Sequence, residues 1–253
     1  MKRDPLQQNS TQWLKLCFGL IVIFALFQWI AETLRSHRGE FGIVVGLIVV
    51  VAILIVERLL FTNTLAGTAK AIGLGQPKAL GMILAIAIAI LMGVSTVIFA
   101  WQTGTTFTLF SNWQLLLIGL FFQAGIAEET LFRGYLYGFF RRRNRFLRAA
   151  ALSALPFVAV HFVMFLTMDW MIASASVGLA VVTTFPLSRL FDLGGSTIWA
   201  PAIVHFVVQA GVKLLVAQGE SASLYPFFWM ILCAVIPLSV FLVPCSLRHP
   251  AEC

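Results

Sequence analysis

Eight long apolar stretches constrain this chain more than any other feature of its sequence. The hydrocarbon core of a bilayer is about 30 Å thick and an α-helix rises about 1.5 Å per residue, so roughly 20 apolar residues can cross it. Because lipid cannot satisfy free backbone N–H and C=O groups, each stretch should be helical. The sequence therefore predicts an all-α fold, a polytopic membrane bundle of about eight transmembrane helices. The stretches are residues 13–31, 41–61, 80–101, 113–140, 147–166, 170–190, 198–217 and 226–244.

The composition excludes a soluble domain. Hydrophobic residues make up 60% of the 253 residues and charged residues 11%, against about 45–50% and 25% in soluble domains. A chain of this kind cannot cover its surface with polar groups, so the lipid bilayer is its predicted surrounding. The loops between the stretches are short and no linker interrupts them, so we expect residues 1–253 to form a single transmembrane domain.

The basic residues predict the orientation. The net charge is +7, but a dense run of arginines at 141–148 accounts for much of it, and no nucleic-acid motif accompanies the charge, so we expect no nucleic-acid partner. With the N-terminus inside, 13 of the 17 Lys and Arg residues lie inside, three lie outside and Arg133 lies within a span. This bias predicts that both termini are cytoplasmic.

The fourth stretch contains charged residues at membrane depth, where each costs about 2.5–3.5 kcal/mol to insert and so needs a reason. Its sequence AGIAEETLFRGYLYGFF includes Glu128, Glu129 and Arg133. Glu129 and Arg133 are four residues apart and can pair along one helix face, whereas Glu128 lies about 100° around an α-helix. We expect one carboxylate to be neutralised by Arg133 and the other to face a cavity as a general base. An ion-paired cluster that only fixes helix packing is the structural alternative.

Two histidines lie in later stretches, each one helical turn from a second notable side chain. Phe157 precedes His161 in LPFVAVHF and can fix the orientation of its ring. His205 and Gln209 share one helix face in WAPAIVHFVVQAG, which begins near Pro201. The structural alternatives are a core histidine bonded to a carbonyl oxygen and a hydrogen-bonding pair between helices.

The depth of these groups predicts that they meet. Glu128 and His161 each lie 13 residues from the basic run 141–148, so both should lie about 20 Å from it. His205 is close to the start of its own stretch, so the segment around 191–200 must dip into the protein to bring it to that depth. Irregular backbone is tolerated there only where it lines a cavity or is covered by helices. The sequence therefore predicts a cytoplasm-facing cavity at this segment.

The ordered motifs EExxxR, FxxxH and HxxxQ resemble those of the CAAX-prenyl-protease and bacteriocin-processing family, also called the Abi or CPBP family of intramembrane peptidases. The motifs lie between about residues 124 and 211, and the other helices resemble the family only as generic spans. The resemblance implies an intramembrane endopeptidase that hydrolyses a peptide bond in a membrane-associated protein or peptide.

The resemblance also implies a role for each residue of the first two motifs. Glu128 would activate a water molecule with the help of His161. Glu129 and Arg133 would hold the Glu128 carboxylate in place. Peptide hydrolysis needs such a base in a site that excludes bulk water.

The third motif is implied to stabilise the oxyanion of the tetrahedral intermediate, through His205 and Gln209. The family usually has Asn where this chain has Gln209. Gln presents the same amide donor on a side chain one methylene longer, so the donor is retained at a different reach.

The sequence leaves metal dependence open. Glu128, His161 and His205 could form a three-ligand zinc site with an open position, but the HExxH motif is absent. A metal-free glutamate mechanism fits the mixed set of acid and amide groups better. We therefore favour no cofactor, with a divalent metal such as zinc as the alternative.

Two other classes of function use the same residues. A membrane transporter could use the Glu/His chain as a proton relay, although no paired broken helices in symmetric halves are visible. A non-catalytic immunity or partner protein could retain the family fold.

The predicted location is a bacterial inner (cytoplasmic) membrane, where the chain is multi-pass, and the predicted partner is a membrane-anchored protein or peptide substrate. Neither the oligomeric state nor whether the substrate is prenylated follows from the sequence.

Overall fold

The computed structural model describes residues 5–34, 38–61 and 64–243, and the side chains of 11–34, 41–61 and 64–243. Within these ranges the chain is almost entirely helical. The α-helices are α1 (Pro5–Thr33), α2 (Arg38–Leu60), α3 (Leu65–Ala71), α4 (Ala79–Thr103), α5 (Trp113–Leu120), α6 (Gly138–Arg141), α7 (Phe146–His161), α8 (Trp170–Leu193), α9 (Trp199–Lys213) and α10 (Tyr225–Val235). Short 3₁₀ helices extend α7 and α10 as Phe162–Leu166 and Ile236–Leu242.

Seven helical segments of the described chain are long and apolar enough to cross a membrane. Large apolar side chains face outward on them, and Trp101 and Leu166 are 83% and 84% exposed. Such surfaces need lipid rather than water around them. The protein is therefore an integral, multi-pass membrane protein, and the predicted all-α polytopic bundle is confirmed. The segments are Thr11–Thr33, Phe41–Leu60, Ala79–Thr103, Trp113–Arg141, Phe146–Leu166, Trp170–Leu193 and Ala222–Leu242.

The remaining predicted stretch, 198–217, forms a shorter helix than expected. Helix α9 has 15 residues, which is about 22 Å of rise and less than a full hydrocarbon core. It begins inside the protein, since Thr197 and Ile198 are 2% and 0% exposed. It packs against α4, α8 and the wall of the Trp113–Arg141 helix. Protein rather than lipid surrounds α9, so the bilayer thickness does not set its length.

A two-stranded antiparallel sheet follows α4 and α9, which the sequence did not predict. Strand β1 (Thr106–Leu109) pairs with β2 (Leu215–Gln218), so that Thr106 faces Gln218 and Leu109 faces Leu215. The pairing joins the loop after α4 to the segment after α9 at one end of the bundle, which we call the sheet end. It also explains why the predicted seventh stretch stops being helical before residue 217.

The opposite end collects the basic residues, and we call it the basic end. Arg143 donates to Gln12 Oε1 of α1, and Lys15 donates to the Leu60 carbonyl at the end of α2 (2.9 Å). The loop after α3 lies here as well, because its Gly75 carbonyl accepts from the Trp199 indole (2.8 Å). The chain termini, residues 1–4 and 244–253, lie outside the described residues, and their cytoplasmic location stays a prediction.

The long helix Trp113–Arg141 is only partly α-helical. Between α5 and α6 it has π-helical hydrogen bonding over Phe121–Glu128 and Thr130–Tyr137. A π-helix is wider than an α-helix, and such segments are frequent at functional sites. The angle of about 100° that separates neighbouring residues such as Glu128 and Glu129 in an α-helix therefore does not apply to this segment.

Helix α9 lies between two apolar cores. The first core includes Leu131 of the π-helical segment together with Ala202 of α9. The second includes Leu190 of α8 together with Val204 of α9. This central position buries His205, which is 6% exposed, beside the helix that carries Glu128 and Glu129.

Candidate active site

The centre of the site is the Glu129 carboxylate. Arg133 Nη1 donates to Glu129 Oε1 at 2.9 Å, one turn along the same helix. His205 Nδ1 lies 2.6 Å from the same oxygen, reaching it from α9. All three residues are buried, at 0% exposure for Glu129, 1% for Arg133 and 6% for His205. In a dry site a carboxylate of this kind needs both partners, because an unpaired buried charge is costly.

Glu128 lies on the other side of the His205 ring. Its Oε2 is 3.7 Å from His205 Nε2, and its side chain is 21% exposed, whereas that of Glu129 is fully buried. The imidazole therefore lies between two carboxylates: that of Glu129 is buried and paired with Arg133, and that of Glu128 is partly exposed. This matches the expectation that Arg133 neutralises one carboxylate while the other is available.

His161 ends α7 beside this cluster. Its Nδ1 is 2.7 Å from the Phe157 carbonyl oxygen. A carbonyl can only accept, so Nδ1 carries the hydrogen and, in the neutral ring, Nε2 has a free lone pair. His161 lies within electrostatic range of Glu128 and His205. The predicted meeting of the fourth, fifth and seventh stretches is thus present in the geometry.

Phe157 connects α7 to the other two helices. The Arg133 guanidinium lies over its ring at 4.5 Å from the centroid, a cation–π contact. Its ring also lies edge-on to His161 (4.8 Å) and to His205 (6.4 Å). Phe157 was predicted only to orient His161, and the structure places it against the arginine as well.

Gln209 is not part of this bonded cluster. It is half-buried on α9, one turn beyond His205 towards the sheet end. Among the described residues, no hydrogen bond joins its side chain to the other five candidates. Its role as an oxyanion donor stays a prediction.

The hydrogen bonds restrict where protons can reside. The charges of Arg133 and Glu129 neutralise each other, and Glu129 Oε1 also accepts a hydrogen bond from the N–H at His205 Nδ1. His205 Nε2 then has a lone pair in the neutral ring or carries a second hydrogen in the imidazolium. In the second case the imidazolium faces Glu128, so that a proton can pass between the two side chains. A base and a hydrogen-bond donor are thus adjacent.

The side chains do not fit the zinc alternative as they are placed. No group of three or more His, Cys, Asp or Glu residues in the described part of the chain could hold a metal ion. His205 and His161 each engage Nδ1 and leave Nε2 available, as metal-binding histidines also do, so it is the placement of the whole set and not these bonds that disfavours a metal. We therefore derive no step through a metal.

A cavity of about 1080 Å³ lies at the segment where the sequence predicted one. Phe191, Asp192 and 195–197 line it at the basic end, but none of the six candidate residues does. The residue that follows α3 packs closely against the π-helical segment, because a Cβ on Gly134 would lie 2.0 Å from the Ile72 carbonyl oxygen. The predicted dip of this segment is present, and the cavity lies beside it, apart from the six candidate residues.

A comparison with known families finds a similarity in the segment that carries the candidate residues. Residues 110–211 match the family model described as Rce1-like, type II CAAX prenyl endopeptidase. The chain is similar to that family over this segment, which is less than half of its length. This match confirms the resemblance inferred from the motifs, and it contains all six candidate residues. The Rce1-like segment begins in the loop after β1 and ends in α9, so α1 to α4 and α10 lie outside it. A comparison of the chain with individual curated proteins gives no match.

One polar contact at the basic end was not predicted from the sequence. Asp192 accepts from the Tyr137 hydroxyl (3.0 Å) and from Arg141 Nε (2.8 Å), which fastens α8 to the end of the Trp113–Arg141 helix. The signal was present, since Asp192 is a carboxylate at the end of an apolar stretch. Its partners could be identified only from the packing.

Proposed function

We propose that this protein is an intramembrane endopeptidase that hydrolyses a peptide bond in a membrane-associated protein or peptide by glutamate-activated water. The observation that carries the proposal is the buried set of Glu128, His205, Glu129 and Arg133 beside His161. The Rce1-like match supports peptidase activity, since that family model describes an endopeptidase.

Glu128 acts as the general base in this proposal. It is the more exposed of the two carboxylates and has no arginine partner among the described contacts. A water molecule held by Glu128 and by the lone pair on His161 Nε2 loses its proton to Glu128 as it attacks the carbonyl carbon. Glu128 then passes that proton to the leaving amine, so that one base serves both steps.

His205 stabilises the charge that develops on the carbonyl oxygen. Its Nδ1 is fixed by Glu129, so a second proton on Nε2 points towards Glu128 and the space beside it. Donors in a site of low dielectric constant contribute strongly to such stabilisation. Gln209 is proposed as the second donor, provided that its side chain reaches the oxyanion when substrate is bound.

Glu129 and Arg133 position the reacting groups rather than touch the substrate. Their ion pair is completely buried, and Phe157 covers the guanidinium. The pair holds the His205 ring in one orientation at the moment of reaction. Fixed dipoles of this kind need no reorganisation, which is their advantage over water.

The substrate class follows from the surroundings of the site. The cluster lies among membrane-spanning helices, so the scissile bond has to reach it from within or beside the bilayer. A membrane-anchored protein or peptide fits that requirement, and we place the enzyme in a bacterial inner membrane. We propose that it needs no metal, and activity that is retained in excess chelator would agree with this.

Comparative mass spectrometry of membrane peptides tests the proposal. Cells expressing Glu128→Gln should lack a set of peptide termini that wild-type cells contain. Glu220→Gln is the matched control, because Glu220 is an exposed glutamate near the sheet end. Identical peptide termini in wild-type and Glu128→Gln cells would contradict the enzyme assignment. Proton-coupled flux in liposomes without any hydrolysis would favour the proton-relay alternative.

A further inference from the structure

The cavity at the basic end is a second polar site, separate from the Glu128 cluster. Its volume of about 1080 Å³ is comparable to the upper range of small-molecule sites. Its wall comes from parts of the chain that are distant in sequence. They are Gln12 and residues within 57–61, 66–76, 138–143 and 191–197.

The charges around this cavity favour an anion. Four cationic side chains line it, against the two carboxylates of Glu57 and Asp192. Asp192 is already engaged by Arg141 at 2.8 Å and by a tyrosine hydroxyl. Glu57 is buried, at 4% exposure, and lies within electrostatic range of Arg142. The cations are Lys70, Arg141, Arg142 and Arg143.

Two of these cations have no acidic counterpart among the residues that the structure describes. Arg143 donates to the Phe139 carbonyl at 3.1 Å and to the Gln12 amide oxygen, both of which are neutral. For Lys70, the described part of the chain provides neither a hydrogen bond to its amine nor an ion pair. Guanidinium and ammonium groups around one hollow are the groups that bind phosphate oxygens.

Exposed leucines lie at the end of α2 and at the start of α3, the two helices that meet beside the cavity. Leu59 and Leu65 are 76% and 63% exposed, and they flank the cavity-lining residues Phe61 and Ala66 in the sequence. Exposed leucines next to cations, at the ends of membrane spans, match the boundary between acyl chains and headgroups. A soluble anion would make no favourable contact with these leucines, whereas lipid acyl chains would.

We propose that this cavity binds the phosphate headgroup of an anionic phospholipid. Lys70, Arg142 and Arg143 contact the phosphate, and the acyl chains leave past the ends of α2 and α3, where Leu59 and Leu65 are exposed. The site needs no peptidase activity, so it can be tested independently of the Glu128 cluster.

Native mass spectrometry of the purified full-length protein tests this site with phosphatidylglycerol as the probe. The protein is extracted from nanodiscs that contain phosphatidylcholine and phosphatidylglycerol, and the retained lipid is counted. Lys70→Gln/Arg143→Gln should lower retention of phosphatidylglycerol by about tenfold or more, because each basic side chain near anionic lipid contributes to the free energy of binding and two are removed. The matched control Arg145→Gln/Arg148→Gln removes two exposed arginines that do not line the cavity, and it should retain as much as wild type.

Three results would overturn the proposal. Equal loss in the two double variants would mean that diffuse surface charge attracts the lipid. Unchanged retention in Lys70→Gln/Arg143→Gln would show that the cavity is not involved. Displacement of phosphatidylglycerol by an equal concentration of inorganic phosphate would identify a soluble anion instead. Arg142→Lys keeps the charge and the fold but loses the forked donors, so it should give an intermediate retention if the proposal is right.

Discussion

Glu129 illustrates how residue spacing and tertiary packing each contribute to this site. Its bond to Arg133 follows from a separation of four residues and was predicted from the sequence. Its bond to His205 joins residues 76 positions apart and was not predicted. The sequence assigned Glu129 to positioning its neighbour Glu128. In the structure its direct partner is His205, which stands between the two carboxylates.

Removing Arg133 should destabilise the protein strongly. Arg133→Gln leaves the buried Glu129 carboxylate with only His205, and breaking a buried pair typically costs about 3–5 kcal/mol. The expected result is a large fall in the melting temperature in detergent, followed by helical circular dichroism. Arg145→Gln removes an exposed arginine and should leave that temperature unchanged.

The double variant Glu129→Gln/Arg133→Gln separates charge from packing. Removing both charges should cost less than the sum of the single substitutions, with a coupling of about 0.5–3 kcal/mol. Activity should still be lost, because His205 no longer has a carboxylate at Nδ1. Strictly additive losses of stability would contradict the ion pair.

The departure at Gln209 makes a separate prediction about the oxyanion. Gln209→Asn should retain activity, since it keeps the amide that the family usually has. Gln209→Leu should lower kcat by roughly 10²–10³-fold, as is typical for loss of an oxyanion donor. Gln102→Leu, at an exposed position on α4, serves as the control. Wild-type kcat in Gln209→Leu would remove this residue from the mechanism.

At the scale of elements, the π-helical wall is the feature that the sequence could not predict. Apolar periodicity identified the span and its ends within a few residues. The π-helical segment also has a close contact between Gly134 and the Ile72 backbone, which hydropathy does not report. Likewise, TFTL and LVAQ are too short and too far apart for their pairing to be visible before the fold is known.

Gly134→Ala tests the close packing of that wall. The new Cβ would lie 2.0 Å from the Ile72 carbonyl oxygen, so the loop after α3 must move. Overpacking of this kind typically costs about 1–3 kcal/mol, which should lower the melting temperature.

Gly93→Ala is the matched control within α4, because a Cβ there meets nothing within 4 Å. It should be neutral or mildly stabilising, since Ala is a better helix former than Gly. If the two substitutions changed the melting temperature equally, the contact between Gly134 and Ile72 would not exist as described.

At the scale of the whole molecule, the apolar stretches predicted the bundle, and seven of the eight predicted spans are long apolar helices in the described part of the chain. The charge bias predicts the orientation of the bundle. The exception is α9, whose 15 residues are surrounded by protein. Hydropathy reports the lipid environment, so it cannot locate the ends of a helix that lipid does not surround.

Cysteine labelling tests the predicted orientation. In a background with Cys17, Cys233, Cys245 and Cys253 replaced by serine, Arg145→Cys should react with a membrane-impermeant maleimide only in inside-out vesicles. Glu220→Cys, near the sheet end, should react only in right-side-out vesicles. The reverse pattern would invert the bundle and place the basic end outside.

Hydrolysis by the Glu128 centre is the claim on which the account depends, and incorporation of heavy oxygen from labelled water measures it directly. Purified protein is reconstituted with membrane extract from cells that lack it, and new peptide carboxyl ends are analysed by mass spectrometry. Wild type and Glu220→Gln should introduce one heavy oxygen at each new carboxyl end, whereas Glu128→Gln should reduce the rate roughly 10²–10⁴-fold. Labelled ends that form in Glu128→Gln at the wild-type rate would contradict the account.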